Sequence, residues 1–257
     1  MKLATRRVSA LTASVAALAM VVSACGSGTS STKKDEGTPV KGGTLNMLGV
    51  GDVDYLDPNV AYYTTSYTAL RMVSRQLYTF PAEEGKTTTA VPDLAEDMPQ
   101  ISEDGKTYTI KLRPGVKWNA ATPREVTAED VVRGVKRTCN SIQPFGGLTN
   151  YVDLVEGMSA FCGGFEKVAQ TPAAVEKYIN DTKLPGVEAT DASTVVFHLT
   201  GPASYFTDML TLPAFSPAPV ESLKFEPGSA EYGKNLISDG PYKIDSYEPT
   251  KSMELSR

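Results

Sequence analysis

Histidine and cysteine, the residue types that most often supply a general base or a zinc ligand, are scarce in this chain. It contains one histidine, His198, and three cysteines among 257 residues. A hydrolase of the Ser-His-Asp kind would need His198 as its general base, and the G-x-S-x-G motif is absent from the sequence. Zinc motifs of the C-x-x-C and H-E-x-x-H kinds are absent as well. His198 falls on the half-polar side of an alternating strand pattern, which favours a structural or solvated histidine.

Two acidic residues are the other chemical candidates. Asp52 and Asp54 accompany Gly49 and Gly51, which are the first two glycines of a G-x-G-x-x-G nucleotide motif whose third glycine is missing. Paired carboxylates can act as a general acid and base. Because these two stand on a predicted turn, we expect them to be solvated, and the sequence predicts neither nucleotide binding nor catalysis here.

The amino-terminal segment predicts export. Residues 8–22 form an uncharged apolar run behind a basic start, and this run is shorter than the roughly 20 residues that span a bilayer. The run ends in Val22-Ser23-Ala24-Cys25, which looks like a bacterial lipobox. We therefore predict a signal peptide over 1–24 and a lipid on Cys25 that anchors the protein to the outer face of the cytoplasmic membrane. The alternative is a secretory signal with a chance cysteine.

The two remaining cysteines suit an exported protein. Cys139 and Cys162 lie 23 positions apart in a chain predicted to mature outside the reducing cytosol. We predict a disulfide between them, and two buried free thiols are the alternative. With so few cysteines and a single histidine, the sequence predicts no metal site and no cofactor.

Composition indicates a globular domain without affinity for nucleic acid. Hydrophobic residues make up 41% of the chain and charged residues 21%, and the formal net charge is −5. A negative net charge provides no general attraction to phosphate backbones. Residues 25–40 are mostly small, polar or charged, which predicts a flexible tether ahead of the folded part.

The remaining sequence mixes strand and helix patterns without a regular β-α-β rhythm and without an internal repeat, which predicts a mixed α+β fold. Helices are predicted from Ser66 to Leu77, from Thr127 onward, over 151–161 and over 171–179. Strands are predicted over 42–48, 107–113 and 194–200, with a final hairpin of 242–247 and 252–255. Frequent prolines after Pro202 argue against long helices in that region.

The order of short motifs is similar to that of the family 5 extracellular solute-binding proteins, the oligopeptide, dipeptide and nickel receptors of ABC importers. The motifs are Gly42-Gly43-Thr44-Leu45, Leu56-Asp57-Pro58, Asp104-Gly105-Lys106-Thr107-Tyr108, Leu112-Arg113-Pro114-Gly115-Val116-Lys117-Trp118, Thr127-Ala128-Glu129-Asp130-Val131 and Asp239-Gly240-Pro241-Tyr242. The resemblance covers essentially all of residues 41–257.

This resemblance implies a fold and a domain organisation. We expect an α/β (mixed α+β) architecture like the first lobe of a type II periplasmic binding protein, over 41–257, with an extra subdomain inserted at about 80–185. Family members are about twice this length, so we expect the second lobe to be missing and the chain to be an N-terminal part. We also expect a monomer without cofactor.

The resemblance also implies a function. Family members close two lobes on a solute and present it to an ABC permease in the membrane, and the implied solute here is an oligopeptide or dipeptide. The positions that match the family's cleft loops in this lobe are Tyr62, Tyr63, Thr64, Phe145, Tyr151, Phe215, Ser216, Asp239 and Gly240. Plain core packing is the alternative for the aromatic residues.

Two other functions remain open from the sequence. One is a surface sensor or interaction lipoprotein of the same fold, which the sequence does not separate from a transport receptor. The other is an exported lipoprotein hydrolase, which would depend on His198 because no other histidine is present.

Overall fold

The computed structural model describes residues 42–257. The predicted signal peptide over 1–24, the lipidated Cys25 and the tether over 25–40 lie outside the described residues and stay predictions. The chain divides after Met47 into two units, and the elements named below all belong to the second, which is Leu48–Arg257. Across 42–257, no helix is long and apolar enough to cross a membrane.

The strand predicted over 42–48 is wrong. These residues have no regular secondary structure, and the side chains of Leu45 and Leu48 are 82% and 101% exposed. The alternation of apolar residues suits a strand, but a strand also needs a hydrogen-bonded neighbour. No strand pairing involves these residues within the described range.

Helices and strands follow one another irregularly, as the mixed α+β prediction requires. The α-helices are α1 (Thr64–Val73), α2 (Ala128–Arg137), α3 (Met158–Phe165), α4 (Pro172–Asp181), α5 (Phe206–Met209) and α6 (Ala230–Lys234). The strands are β1 (Tyr78–Thr79), β2 (Val91–Pro92), β3 (Gln100–Ile101), β4 (Thr107–Lys111), β5 (Val187–Asp191), β6 (Thr194–His198), β7 (Lys243–Glu248) and β8 (Ser252–Ser256). Three 3-10 turns cover Leu148–Asn150, Pro213–Phe215 and Val220–Lys224.

The largest sheet is antiparallel and has the strand order β3-β4-β6-β5. In its centre Tyr108 pairs with Phe197 and Ile110 pairs with Val195, and all four side chains are at most 1% exposed. This confirms the strands predicted from the alternating pattern, because the alternate apolar side chains of both strands face the core. The hairpin of β7 and β8 is also confirmed, as a separate two-stranded sheet.

Helix α2 packs against β5 and β6 and covers the core face of the sheet. Its prediction from Thr127 is confirmed, since Thr127 is the N-cap and the Thr127 N–H donates to Asp130 Oδ2 at 3.0 Å. Helix α4 is confirmed as well, with Pro172 in its first turn and Thr171 as its cap. After Pro202 the longest helix has five residues, as the prolines predict.

Two helix predictions need correction. Helix α1 ends at Val73 rather than Leu77, because Ser74 is extended and its N–H closes the last turn on the Leu70 carbonyl. The helix predicted over 151–161 begins only at Met158. Glu156 N–H donates to the His198 carbonyl, so this segment extends the sheet, and Gly157 has the left-handed φ of 72° that a helix interior does not allow.

Candidate functional site

Three of the predicted ligand residues, Tyr62, Tyr63 and Thr64, form an exposed edge at the start of α1. The tyrosines are 50% and 61% exposed. Asp54 holds this edge, because its Oδ2 accepts hydrogen bonds from the backbone N–H of Tyr62 at 2.8 Å and of Tyr63 at 3.2 Å. The other oxygen of Asp54 accepts from the Ser66 hydroxyl inside α1. The carboxylate therefore orients the entry into the helix and presents both rings to solvent.

Asp52 and Asp54 are partly exposed, in line with the expectation of solvated carboxylates, but both also accept hydrogen bonds that hold loops. Asp52 accepts from the Tyr247 hydroxyl at 2.8 Å and from the Thr250 N–H at 2.7 Å, which ties its loop to the turn between β7 and β8. The small burial of Asp52 acts to raise its pKa, but these hydrogen bonds outweigh burial and lower the pKa below its usual value. Both carboxylates are engaged in holding loops, so neither has the free oxygen that an acid–base role needs.

An aromatic column connects the exposed edge with the core. It consists of Tyr62, Phe145, Tyr151 and Phe215, with successive ring centroids 5.6, 5.9 and 4.9 Å apart. The structure thus brings together four of the predicted ligand residues. Tyr62 alone among these four is exposed, since Phe145, Tyr151 and Phe215 are at most 2% exposed. For these three residues the structure shows core packing, so they lack surface to offer a ligand and instead support Tyr62 from below.

Two adjacent glycines that sequence reasoning missed make room for the column. A Cβ on Gly146 would lie 3.0 Å from the Tyr62 ring, and one on Gly147 would lie 2.7 Å from the Phe145 ring. Any side chain here would push the Tyr62 ring out of its contact with Phe145. A Phe-Gly-Gly sequence is the local feature that could have pointed to such a close approach.

Two hydroxyl groups near this edge are buried without a hydrogen-bond partner in the described part of the chain. They belong to Tyr67 of α1 and to Tyr151 of the aromatic column. Burial raises the pKa of both phenols, and the nearby Tyr62 and Asp54 add to the rise for Tyr67. Both groups are therefore neutral at physiological pH and able to donate a hydrogen bond.

Ser216, another predicted ligand residue, is fully buried and belongs to a polar network under α2. Its carbonyl accepts from Asn59 Nδ2 at 3.0 Å, and a Cβ on Gly134 would lie only 2.1 Å from that carbonyl oxygen. Gly134 in the middle of α2 thus lets the helix approach the Ser216 backbone. Ser216 stabilises the fold at this position rather than facing solvent.

The same network contains a buried ion pair that sequence reasoning missed. Arg137 of α2 contacts Asp57 through two hydrogen bonds of 2.6 and 3.0 Å, and their side chains are 1% and 0% exposed. Arg137 also donates to Asn59 Oδ1 at 2.8 Å and lies 4.8 Å from the Tyr232 ring centroid. Asp57 belongs to the Leu56-Asp57-Pro58 motif, but its partner is 80 positions away, and no local pattern indicates the pairing.

The last two predicted ligand residues, Asp239 and Gly240, lie at the opposite end of α1 from Tyr62. Asp239 is 4% exposed, and Gly240 donates its N–H to the Val73 carbonyl at 3.0 Å. A Cβ on Gly240 would lie 2.5 Å from the Val73 carbonyl carbon, so only glycine permits this packing. Ten helical residues separate the two ends by about 15 Å. The predicted residues therefore do not form one continuous patch.

His198 is half-exposed on the polar face of the four-stranded sheet, as the sequence predicts. Its ring nitrogens lie 3.3 Å from Glu188 Oε1 and 3.5 Å from Thr107 Oγ1. No cluster of three or more potential metal ligands occurs among residues 42–257. Of the pockets on the described surface, one beside Lys136 and Ile179 and one beside Tyr178 include no predicted ligand residue.

Comparison with known proteins assigns the family. Residues 89–257, about two thirds of the chain, match the family model described as bacterial extracellular solute-binding proteins, family 5 Middle. The chain belongs to this family. The motif-based prediction is thereby confirmed, and the family's own description is that of extracellular proteins.

Curated relatives of this family 5 protein carry the names of peptide-binding proteins. The oligopeptide-binding protein AliA of Streptococcus pneumoniae is 26% identical over 93% of this chain and 33% of its own length. The dipeptide-binding protein of Escherichia coli is 30% identical over 81% of this chain and 36% of its own length. The family 5 chain thus spans about a third of the length of these relatives, and both are named as binding proteins rather than enzymes.

Solved structures confirm the fold class. The clavulanic acid biosynthesis oligopeptide binding protein 2 superposes with a TM-score of 0.65 at 31% identity, over 80% of this chain and 34% of that one. Listeria monocytogenes OppA bound to peptide superposes with a TM-score of 0.61 at 21% identity, which shows the fold alone. The family 5 chain has the mixed α/β architecture of the type II periplasmic-binding fold, with a coverage consistent with one lobe.

Proposed function

We propose that this protein is the substrate-binding lipoprotein of an ABC importer and that it captures short peptides by closure of two lobes. The observation that carries the proposal is the match of nearly the whole chain to oligopeptide-binding and dipeptide-binding proteins within one family. Its proposed partners are an oligopeptide or dipeptide and the permease subunits in the membrane. It needs no cofactor, metal or catalytic residue for this role, and we propose a monomer that does not bind nucleic acid.

The proposed anchoring follows the domain organisation expected from the sequence. Residues 1–24 are removed as a signal peptide, Cys25 receives the lipid, and residues 25–40 tether the folded domain to the outer face of the cytoplasmic membrane. Residues 41–257 then form the solute-binding lobe, with an inserted subdomain over about 80–185. Export of the chain agrees with its membership of an extracellular family.

The exposed edge at the start of α1 is the proposed contact surface for peptide in this lobe. Tyr62, Tyr63 and Thr64 supply two aromatic faces and hydroxyl groups on a rigid helix end, and rigid aromatic side chains lose little entropy on binding. An extended peptide can be held there by main-chain hydrogen bonds, while its side chains lie in hydrated spaces. Phe145, Tyr151 and Phe215 support this edge from the core, Ser216 holds the Asn59 side chain under α2, and Asp239 and Gly240 position the other end of α1.

Replacing Tyr63 with alanine tests the contact surface. We expect Tyr63→Ala to weaken peptide binding about tenfold, equivalent to roughly 1.4 kcal/mol, since an exposed aromatic contact is removed without loss of core packing. The measurement is isothermal titration calorimetry, in which a mixture of short peptides is titrated into the full-length protein. Tyr205→Ala is the matched control, because Tyr205 is 54% exposed at a site outside the edge. Equal affinities for the two variants would count against the proposed surface.

The disulfide is proposed on the geometry of its cysteines. Cys139 lies two residues after the end of α2, and Cys162 lies in α3. Their sulfur atoms are in contact and their Cα atoms are 4.8 Å apart, within the range of a disulfide. We expect Cys139→Ser to lower the free energy of unfolding by about 3 kcal/mol. Denaturant unfolding should give the same loss for Cys162→Ser and for the double variant, because either change opens the same bond. Two alkylatable thiols at these positions in the unreduced protein would contradict the proposal.

A further inference from the structure

A cluster of three titratable residues joins the end of α1 to the segment that leads into β7, with Asp239 buried and Arg75 and Asp93 partly exposed. Asp239 Oδ1 accepts a hydrogen bond from the Arg75 N–H at 3.0 Å. The Arg75 guanidinium is paired with Asp93, whose second oxygen accepts from the Gln76 N–H at 3.2 Å. The cluster therefore holds two carboxyl groups and one guanidinium.

The second oxygen of Asp239, Oδ2, is buried and has no hydrogen-bond partner in the described part of the protein. A buried carboxylate oxygen without a donor is costly, and the cost falls when the carboxyl group takes up a proton. Arg75 does not relieve this, since its guanidinium pairs with Asp93 through Nη1 and its Nε, which is also buried without a partner, makes no hydrogen bond to Oδ2. The unpaired oxygen and the presence of two carboxyl groups for one guanidinium both favour a protonated, neutral Asp239.

We propose that the protonation state of Asp239 controls how firmly residues 238–242 pack against the end of α1. With a neutral Asp239 the segment keeps the packed arrangement seen here, in which Gly240 N–H donates to Val73 and Tyr242 N–H donates to Met72, each at 3.0 Å. Ionisation places an unpaired charge in the same buried space and loosens these contacts. This inference goes beyond the proposed function and does not depend on peptide binding.

The charged groups that face Asp239 agree with this assignment. Burial, and to a smaller extent the neighbouring carboxylate of Asp93, raise the pKa of Asp239 to about 7 against the opposing effects of the Arg75 N–H and guanidinium. Between about pH 4 and pH 7 the native state then binds more protons at Asp239 than the unfolded state. The contribution of Asp239 to stability is consequently largest at the acidic end of this window and is lost as the pH rises towards 7.

Hydrogen exchange on the full chain tests this proton-dependent packing. From about pH 5.5 to about pH 8.5, and after correction for intrinsic rates, we expect the protection of the Gly240 and Tyr242 amides to fall about tenfold in the wild type. In Asp239→Asn, which stays neutral, protection should not change with pH. Asp153→Asn is the matched control, since Asp153 is exposed and should show the wild-type fall. Constant protection in the wild type, or a fall that persists in Asp239→Asn, would overturn the proposal.

A direct titration keeps the proposal testable if Asp239→Asn does not fold. The carboxyl carbon chemical shift of Asp239 in the wild-type chain should change with a midpoint near pH 7. A midpoint in the ordinary range of aspartate, about 4, would show that the group is ionised throughout and would sink the idea.

Discussion

Replacing Arg137 with methionine is expected to lower the free energy of unfolding by about 3–5 kcal/mol. Methionine fills much of the same volume, but it leaves the Asp57 carboxylate buried at 0% exposure without its cation. Asn59 and the Tyr232 ring lose their contacts with the guanidinium as well. Denaturant unfolding followed by circular dichroism measures the loss.

A matched substitution separates the effect of burial from that of charge. Lys177 of α4 also forms an ion pair, with Asp181, but both side chains are largely exposed. Lys177→Met should therefore leave the unfolding midpoint close to that of the wild type, because exposed pairs contribute little. The double variant Asp57→Leu/Arg137→Met should be more stable than the sum of its single changes predicts, since it leaves no unpaired charge. An Arg137→Met protein as stable as Lys177→Met would refute the role of the buried pair.

Replacing Asp130 with alanine is expected to destabilise the protein by a similar amount, about 3–5 kcal/mol. Its carboxylate accepts from Arg124 at 2.7 and 2.9 Å, from Arg133 at 2.6 Å and from Trp118 Nε1 at 3.0 Å. It also caps α2 through the Thr127 N–H. Alanine would remove the charged acceptor of two guanidinium groups, which keep only the Glu125 and Ala218 carbonyls and the distant Glu221, and would leave the indole N–H without an acceptor. It would also remove one of the two hydrogen bonds of the capping box.

The pH dependence of stability gives a second measurement on Asp130. Burial acts to raise the pKa of Asp130, but hydrogen bonds from Arg124, Trp118 and Thr127 outweigh it and lower the pKa. The stabilisation is therefore present above the unfolded pKa of about 4 and is lost as the pH falls through the lower native value. Asp130→Ala should remove this part of the acid sensitivity.

Glu129 is the natural control for Asp130. It lies one position earlier in the first turn of α2, is exposed, and takes part in none of the ion pairs found over residues 42–257. Glu129→Ala should change stability by no more than about 0.5 kcal/mol. If Glu129→Ala and Asp130→Ala unfold at the same denaturant concentration, the Asp130 carboxylate does not stabilise the start of α2 through these hydrogen bonds.

Local patterns predicted the parts of the fold that depend on neighbours in sequence. The alternation around Tyr108 and Val195 gave the correct core faces of β4 and β6, and Thr127 correctly marked the start of α2. The same kind of pattern failed at residues 42–48 and at Tyr151. A strand needs a partner, and the residues before Met158 are used to extend the sheet instead of a helix.

In the candidate site too, some features were predicted from local sequence and others only the structure revealed. Motif order placed Tyr62, Tyr63 and Thr64 in the proposed contact surface, and the structure exposes them. Motif order did not distinguish these three residues from Phe145 and Phe215, whose aromatic side chains are similar but lie in the core. Exposure depends on what packs over a ring, and the sequence around each ring does not contain that information.

The sequence by itself determined the scarcity of histidine and cysteine, the predicted export, the core faces of the central strands and the family to which the chain belongs. The tertiary structure alone decided which aromatic rings reach solvent, that Asp52 and Asp54 hold loops, that Arg137 finds Asp57, and that Asp239 is buried without a full set of donors. The physical reason is distance along the chain. Hydrophobic period and helix capping act over a few residues, whereas the Arg137–Asp57 ion pair joins residues 80 positions apart and the hydrogen bond from Thr250 to Asp52 joins residues 198 positions apart.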